Sequence, residues 1–416
     1  KVEVLGYDEL NSDGSVDVYK VKYNDQEGYV YGKYLVNNHE DSIKNYDEED
    51  SYQIHKKRGD SWGGGDAGSL DYYPYEKPKF EVRSLYMNAG VIKNVDEYIK
   101  LAKESGINAI VVDIKDNTSP GYPANAMKEY SITNYEKAIN SYEDYKNAIK
   151  KIKDAGLYVI GRITVFKDSY YSKDHPEDTI LDTATGKSYN HDGSYWPSAF
   201  NRDVWEFNVS LAIESVKEMG FNEIQFDYVR FPDRVKSLED AGKIDYNNTY
   251  DETKAQAIQR FVMYACDEIH KYGAYVSIDV FGESAHTYVT PYGQYWPAIS
   301  NVADVISGMP YPDHFNTYEY GFKEPVWTIP YDLLYLWGNE FVMNRQSEIP
   351  SPAIVRTWIQ AYDSIKSPYV TYDASMVSKE IQGLYDAGLT GGFITWNGSS
   401  SLTKYKEISS AFGKEY

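Results

Sequence analysis

One cysteine in 416 residues excludes an intrachain disulfide. Cys266 sits in an apolar helical pattern with Phe261, Val262, Ala265 and Ile269, which predicts a buried, inert thiol rather than a nucleophile. A single thiol fits the cytosol, and equally an exterior where disulfides are avoided, so it leaves the compartment open. No apolar run approaches the roughly 18 residues that a membrane-spanning helix needs. Basic patches are missing too: 42 Lys and Arg stand against 63 Asp and Glu, a net charge of -21. The one local basic cluster, Lys56-Lys57-Arg58, lies in a polar stretch, so nucleic acid is not an expected partner. The seven histidines (39, 55, 175, 191, 270, 286 and 314) form no HxH or HExxH pattern, and GxSxG, Walker and dinucleotide signatures are absent. Neither a catalytic metal nor a cofactor is therefore expected.

What the chain has in excess is tyrosine, 43 residues, beside 8 Trp and 14 Phe. Part of this is ordinary packing, but aromatics with a polar tip also suit sugar clefts. A pyranose face stacks on the ring while hydroxyls reach the tip.

Three zones follow from the pattern. Residues 1–36 read as short strands, Val2–Leu5, Val16–Tyr23 and Gly28–Val36, with a hairpin turn at Asn24-Asp25. Residues 37–79 are acidic and then glycine-rich (Trp62-Gly63-Gly64-Gly65), which predicts a linker or strap. The chain opens at Lys1 with neither an initiator Met nor an apolar leader, which reads as a trimmed sequence whose natural N-terminus lies elsewhere.

From residue 80 to 416, strand-like runs alternate with helical patterns eight times. The runs are VRSLYMN (82–88), AIVVDIK (109–115), YVIGRIT (158–164), EIQFDYV (223–229), YVSIDVF (275–281), DVISGMP (304–310), AIVRTWI (353–359) and GGFITWN (391–397). Continuous β-branched runs are what a helix-covered parallel sheet looks like. Gly106, Gly156, Gly220, Gly273 and Gly388 stand where helices should stop. Eight such units predict a (β/α)8 barrel, an α/β fold, carrying a small N-terminal all-β module.

In a barrel the site lies at the C-terminal strand ends. Those ends carry Asp113, Lys115 and Asp116; Arg162; Asp227 and Arg230; Asp279 and Glu283; Tyr311 and Asp313; Trp358 and Gln360; and Trp396 and Asn397. Apolar strands have no packing reason to end in carboxylates, whereas two carboxyls flanking a sugar are the equipment of glycoside hydrolysis. Asp227 is the nucleophile candidate, with Arg230 three residues on to hold it ionised; the alternative is an Asp–Arg pair that pins the loop. Glu283 precedes Asp279 as acid/base, the other orienting substrate. Asp113 and Lys115 either pair with each other or bind sugar hydroxyls. Arg162 points into the mouth or toward Asp227 in a supporting role. Tyr311, Trp358 and Trp396 are candidate sugar platforms, with core filling the competing role. Asp313 and Asn397 are candidate substrate ligands, and His286 and His314 lie near the mouth.

The string FDYVRFP after the fourth strand, with VVDIKD, SLYMNAG and GGFITWNG, resembles a bacterial family of barrel domains grouped with the glycoside hydrolases. That family is distantly related to the α-amylase-like and α-galactosidase-like clans. The resemblance covers about 80–412 and implies a nucleophilic Asp at the end of the fourth strand, which falls on Asp227. Phe231 stands where amylases carry a His, so an amylase substrate does not carry over. The run YKVKYNDQEGYVYGKYLV (19–36) resembles the C-terminal half of a bacterial SH3-like repeat, which implies cell-wall binding. The expected activity is hydrolysis of a poly- or oligosaccharide, α-linked and with retention, at an extracellular or cell-surface location. Two rival readings are a non-catalytic glycan-binding barrel and a metal-assisted hydrolase using Asp113, Asp227 and Asp279.

Overall fold

The computed structural model describes residues 2–7, 11, 16–23, 25–32, 35–36, 60–61, 77–349 and 351–416. The chain divides into two compact units, 1–54 and 55–416. In the first, β1 (Glu3–Tyr7), β2 (Val18–Tyr23) and β3 (Gln26–Tyr31) form an antiparallel sheet in that order. Tyr23 faces Gln26 across the hairpin, and Asp25 in its turn has φ 63°. The third strand stops at Tyr31, short of the expected Val36. Apart from 60–61 and 77–79, the segment 37–79 lies outside the described residues.

The second unit is a parallel barrel. Its strands are β4 (Val82–Met87), β5 (Ala109–Asp116), β6 (Tyr158–Thr164), β7 (Glu223–Asp227), β8 (Tyr275–Phe281) and β9 (Val305–Met309). The seventh strand comes in two pieces, β10 (Ile354–Val355) and β11 (Thr357–Gln360), and β12 (Gly392–Trp396) is the eighth. Their order is β10-β9-β8-β7-β6-β5-β4-β12-β11. Since β10 and β11 flank the single residue Arg356, this order closes on itself.

The outer layer includes α1 (Val95–Ser105), α2 (Tyr142–Asp154), α3 (Arg202–Met219), α4 (Lys254–Ile269), α5 (Pro330–Leu336), α6 (Ala374–Asp386) and α7 (Leu402–Ile408). Side-chain caps start them: Ser141 accepts from Asp144 N, and Thr253 and Gln256 form a reciprocal capping box. The five glycines expected to end helices all adopt the left-handed conformation (φ 78°, 79°, 78°, 76° and 90° in chain order). The helix expected near 330–345 forms, with a π-helical turn at Trp337–Val342 between α5 and a last α-helical turn at Met343–Gln346. Trp337 Nε1 donates to Gly282 O at 3.0 Å. Its ring lies so close to Gly308 that a β-carbon there would meet Cη2 at 2.7 Å.

Alternation along β7 sets the interior. Phe226 packs outward on Phe261 of α4 (5.4 Å between centroids), so Glu223, Gln225 and Asp227 point inward. At the base Glu223 pairs with Arg356 (2.7 Å), both fully buried, and Gln225 faces Ser307 above it. Opposite lies an apolar cluster including Val82, Val111, Ile160, Trp358 and Ile394. Polar groups thus climb one side of the barrel to its mouth.

Candidate active site

Arg162 on β6 organises the mouth. It is 2 % exposed and donates to Asp227 Oδ2 from Nη2 (2.6 Å) and Nε (3.2 Å), and to Asp113 Oδ1 from Nη1 (2.9 Å). Its guanidinium lies 5.8 Å from the rings of Tyr86 and Trp396. Asp227 Oδ1 accepts the backbone N–H of Tyr228 at 2.6 Å, so both its oxygens have fixed partners. Tyr228 holds φ 53°, a left-handed conformation that bulky side chains avoid, immediately after Asp227. Asp113 also accepts from Tyr86 OH (2.6 Å); burial pushes its carboxyl up to about 6, against the opposing pull of Arg162.

Asp279, one residue past the Phe226–Ile278 pair on the neighbouring strand, has no exposed surface. Its Oδ1 accepts from Trp358 Nε1 at 2.7 Å, and its Oδ2 has no hydrogen-bond partner among the described residues. Burial, and then the charge of Asp227, raise its carboxyl well above the usual carboxylate range, which favours a protonated acid.

Above the mouth opens a cleft of about 880 Å³ lined by, among others, Lys167, Trp196, Tyr228, Phe281, Glu283, His286, Tyr288, Asp313, His314 and Tyr320. Glu283 is half-buried in its wall; Tyr288 OH donates to Oε1 (2.9 Å) and Tyr292 OH to Oε2 (2.7 Å). Of the two acid candidates, Glu283 lines the cleft and Asp279 does not.

Several expectations need correction. Arg230 does not hold Asp227. It donates to Asp233 Oδ1 (3.1 Å) and Phe231 O (3.1 Å), boxed by Phe281 (4.3 Å), Trp196 (5.0 Å) and Tyr228 (5.1 Å). It lines the cleft, but as a buried brace of its wall. Lys115 neither pairs with Asp113 nor reaches the cleft. A bulge between Asp113 and Lys115 turns it toward α3, where it bonds Asp168 (2.7 Å) and Thr164 O (2.5 Å), fully buried. Trp358 is 1 % exposed and donates to Asp279, so it is no platform for a sugar. Asn397 spends its side chain on the loop, donating to Ala361 O (2.8 Å) and accepting from Ser401 N (3.1 Å). Asp313 lines the cleft but is itself fully buried, accepting from Tyr362 OH (2.8 Å). Tyr311 is buried against the half-buried Trp396.

A metal held by Asp113, Asp227 and Asp279 does not fit, because Arg162 already binds the first two. Among the described residues, groups with metal-ligand spacing are Cys266–His270–Asp304 and His175–Glu177–Asp178, neither of which includes those aspartates. Sequence reasoning missed Trp196, Tyr228, Tyr288 and Tyr292. The signal for the last two was the tyrosine-rich run HTYVTPYGQYW directly after Glu283.

The family model described as "Putative glycosyl hydrolase domain" matches residues 84–402, the whole of this barrel but its rims. The chain belongs to that family. Membership in this glycosyl hydrolase family implies a carbohydrate substrate. Its fold is shared with the glycoside hydrolase domain of PgaB (BpsB) from Bordetella bronchiseptica, with TM-score 0.55 and 12% identity over 80% of this chain and 99% of that one. A hypothetical protein from Ruminiclostridium thermocellum ATCC 27405 is 30% identical over 47% of this chain and 97% of that chain, with TM-score 0.40. A GH20 exo β-N-acetylglucosaminidase from Vibrio harveyi is similar at 12% identity over 82% of this chain and 55% of that one, with TM-score 0.49. No curated protein sequence matches the chain. No helix among the described residues is long and apolar enough to cross a membrane.

Proposed function

We propose that this glycosyl hydrolase domain cleaves a poly- or oligosaccharide with Asp227 as nucleophile and Glu283 as acid/base. The observation that carries the reading is the fixing of Asp227. A buried guanidinium holds one oxygen and a backbone N–H the other, at the end of the fourth barrel strand and one residue before the cleft-lining Tyr228. A nucleophile must stay ionised and aimed, and charge-assisted hydrogen bonds do both. Glu283 is the acid/base because it lines the cleft, whereas Asp279 has no surface for a substrate to meet. Asp279 is instead a buried, protonated neighbour of Asp227. Tyr228, half-buried in the cleft wall, is the ring on which a sugar stacks.

Retention and an α-linkage are supported by the resemblance to α-amylase-like clans. Cleavage of α- against β-aryl glycosides decides the linkage, and NMR of the first-formed anomer then decides retention. A panel of aryl glycosides and cell-surface polysaccharides identifies the substrate. Asp227→Asn and Glu283→Gln should each lower hydrolysis at least a hundredfold with an unchanged circular dichroism spectrum; full activity in both variants overturns the assignment. The N-terminal sheet presents Tyr7, Tyr23, Tyr29 and Tyr31 to solvent, which supports an SH3-like, wall-binding role and a cell-surface location. Retention of residues 1–416 on purified cell wall, compared with residues 77–416, tests that role.

A further inference from the structure

Two phenols donate to Glu283, and an acid/base must gain and lose a proton once in every turnover. The contacts behind Glu283 show how a proton would come and go. The Tyr288 hydroxyl that touches Glu283 Oε1 lies 3.0 Å from His286 Nδ1. His286 Nε2 lies 3.0 Å from the hydroxyl of Tyr320. Glu283, Tyr288, His286 and Tyr320 therefore form one connected string along the cleft wall, and Tyr320 is half-buried at its far end. Phe341 braces it, packing on His286 (4.7 Å) and stacking on Tyr320 (4.9 Å). Tyr320 adopts φ 57°, a left-handed conformation that a tyrosine keeps only when its surroundings impose it.

The hydrogens of this string can be arranged in two ways. With Glu283 ionised, Tyr288 donates to it, Nδ1–H of His286 donates to Tyr288, and Nε2 accepts from Tyr320. With Glu283 protonated, every bond reverses: Glu283 donates to Tyr288, Tyr288 to Nδ1, and Nε2–H to Tyr320. The imidazole is neutral in both and differs only in tautomer.

We propose that His286 and Tyr320 are positioning residues that pass protons between the cleft and Glu283, the imidazole exchanging tautomers as the glutamate exchanges charge. One proton enters at Tyr320 as one arrives on Glu283, and the reverse flow removes it, so no net charge is left between. The proposal rests on reading Glu283 as acid/base. The charged groups facing His286 are Glu283 and Glu319, which favour its protonation, and Arg345, which opposes it. Burial outweighs them and lowers the imidazole, keeping it neutral near neutral pH. Burial also holds the phenols of Tyr288 and Tyr320 above their ordinary values, so both stay protonated donors.

The test uses the full chain with ¹⁵N-labelled histidine, His286 being assigned by loss of its signals in His286→Asn. The protonated nitrogen of His286 should change from Nδ1 to Nε2 as pH falls, and Glu283→Ala should abolish that change. A tautomer constant with pH, or a change that survives Glu283→Ala, overturns the relay. A second measurement reads turnover on aryl glycosides that the wild type cleaves. His286→Asn and Tyr320→Phe should lose at least tenfold more on a poor leaving group than on a dinitrophenyl one, since only the former needs the proton. Equal losses on both would mark a merely structural role. A wild type inert toward every glycoside removes the hydrolase reading, while the tautomer experiment still decides the relay.

Discussion

Replacing Arg162 with methionine removes the cation from a buried layer of acids while keeping most of the side-chain volume. Arg162 is 2 % exposed and makes three hydrogen bonds to Asp113 and Asp227. Breaking one buried pair by deleting a partner costs about 3–5 kcal/mol, because the remaining charge is stranded. Here two carboxyls lose their partner, so about 4 kcal/mol is expected at pH 8. The loss should depend on pH with a definite sign. Burial already lifts Asp113 to about 6, and Arg162 is the group pulling it down, so without Arg162 it rises further. The folded state then binds more protons than the unfolded one from about pH 4, the ordinary carboxyl value, up to that raised value. Stability therefore falls as pH rises through this window, and the variant comes closest to wild type near or below pH 4. Urea denaturation followed by tryptophan fluorescence between pH 4 and 8 measures the effect. The double variant Arg162→Met/Asp113→Asn should recover about 1–2 kcal/mol at pH 8, since the two sites are in contact. A deficit below about 1 kcal/mol at pH 8, or one equal at all pH values, would refute the electrostatic account and leave only packing.

Asp279→Asn should make the barrel more stable at pH 8 by about 1–2 kcal/mol and flatten its pH dependence. The folded Asp279 carboxyl lies well above its ordinary value, so the wild type loses stability as pH rises past about 4, and a neutral amide does not. Urea midpoints at pH 5 and pH 8 check both signs. Gly392→Ala should cost at least about 2 kcal/mol, read as a fall in melting temperature. Gly392 holds φ 102°, and a β-carbon there would lie 1.9 Å from Val82 O, on the ladder joining β12 to β4.

The barrel was legible because its signals are local and repeat. β-Branched runs, apolar helix faces and the five helix-ending glycines each specify their element without reference to the rest of the chain. Strand position also marked Asp227, since a carboxylate closing an apolar strand stands out in the string itself. The partners of the site were less visible because they are set across the barrel. Arg230 looked like the mate of Asp227 from its three-residue spacing, yet Arg162, 65 positions upstream, is the residue that faces it. Lys115 was misdirected by one extra residue in β5, and alternation cannot reveal a bulge. Trp358 seemed a sugar platform, but its indole N–H is spent on a carboxyl that no sequence pattern places beside it. The π-helical turn at Trp337 likewise follows from tertiary contact with Gly282 and Gly308 rather than from its own sequence.

The two ends of the polar column inside the barrel differ in a way that bears on function. At the base, Glu223 meets Arg356 with neither exposed, one charge against one, with Tyr158 OH adding a 3.0 Å bond to the glutamate. At the mouth a single guanidinium serves Asp113 and Asp227, with Asp279 a buried neighbour and the partly exposed Asp116 at 3.9 Å. One cation cannot compensate three buried carboxylates, so the layer sheds charge by keeping protons: burial lifts Asp113 to about 6 and raises Asp279 well above its ordinary value. A mouth built for stability alone would not carry this imbalance, since apolar side chains of similar size are often at least as stable as buried ions. The imbalance lies on the strand ends where barrel enzymes hold their chemistry. It also divides the acids by environment, with Asp227 held by Arg162 and Asp279 left without a cation. Environments that drive two acids apart are how one site holds an ionised group beside a protonated one at the same pH.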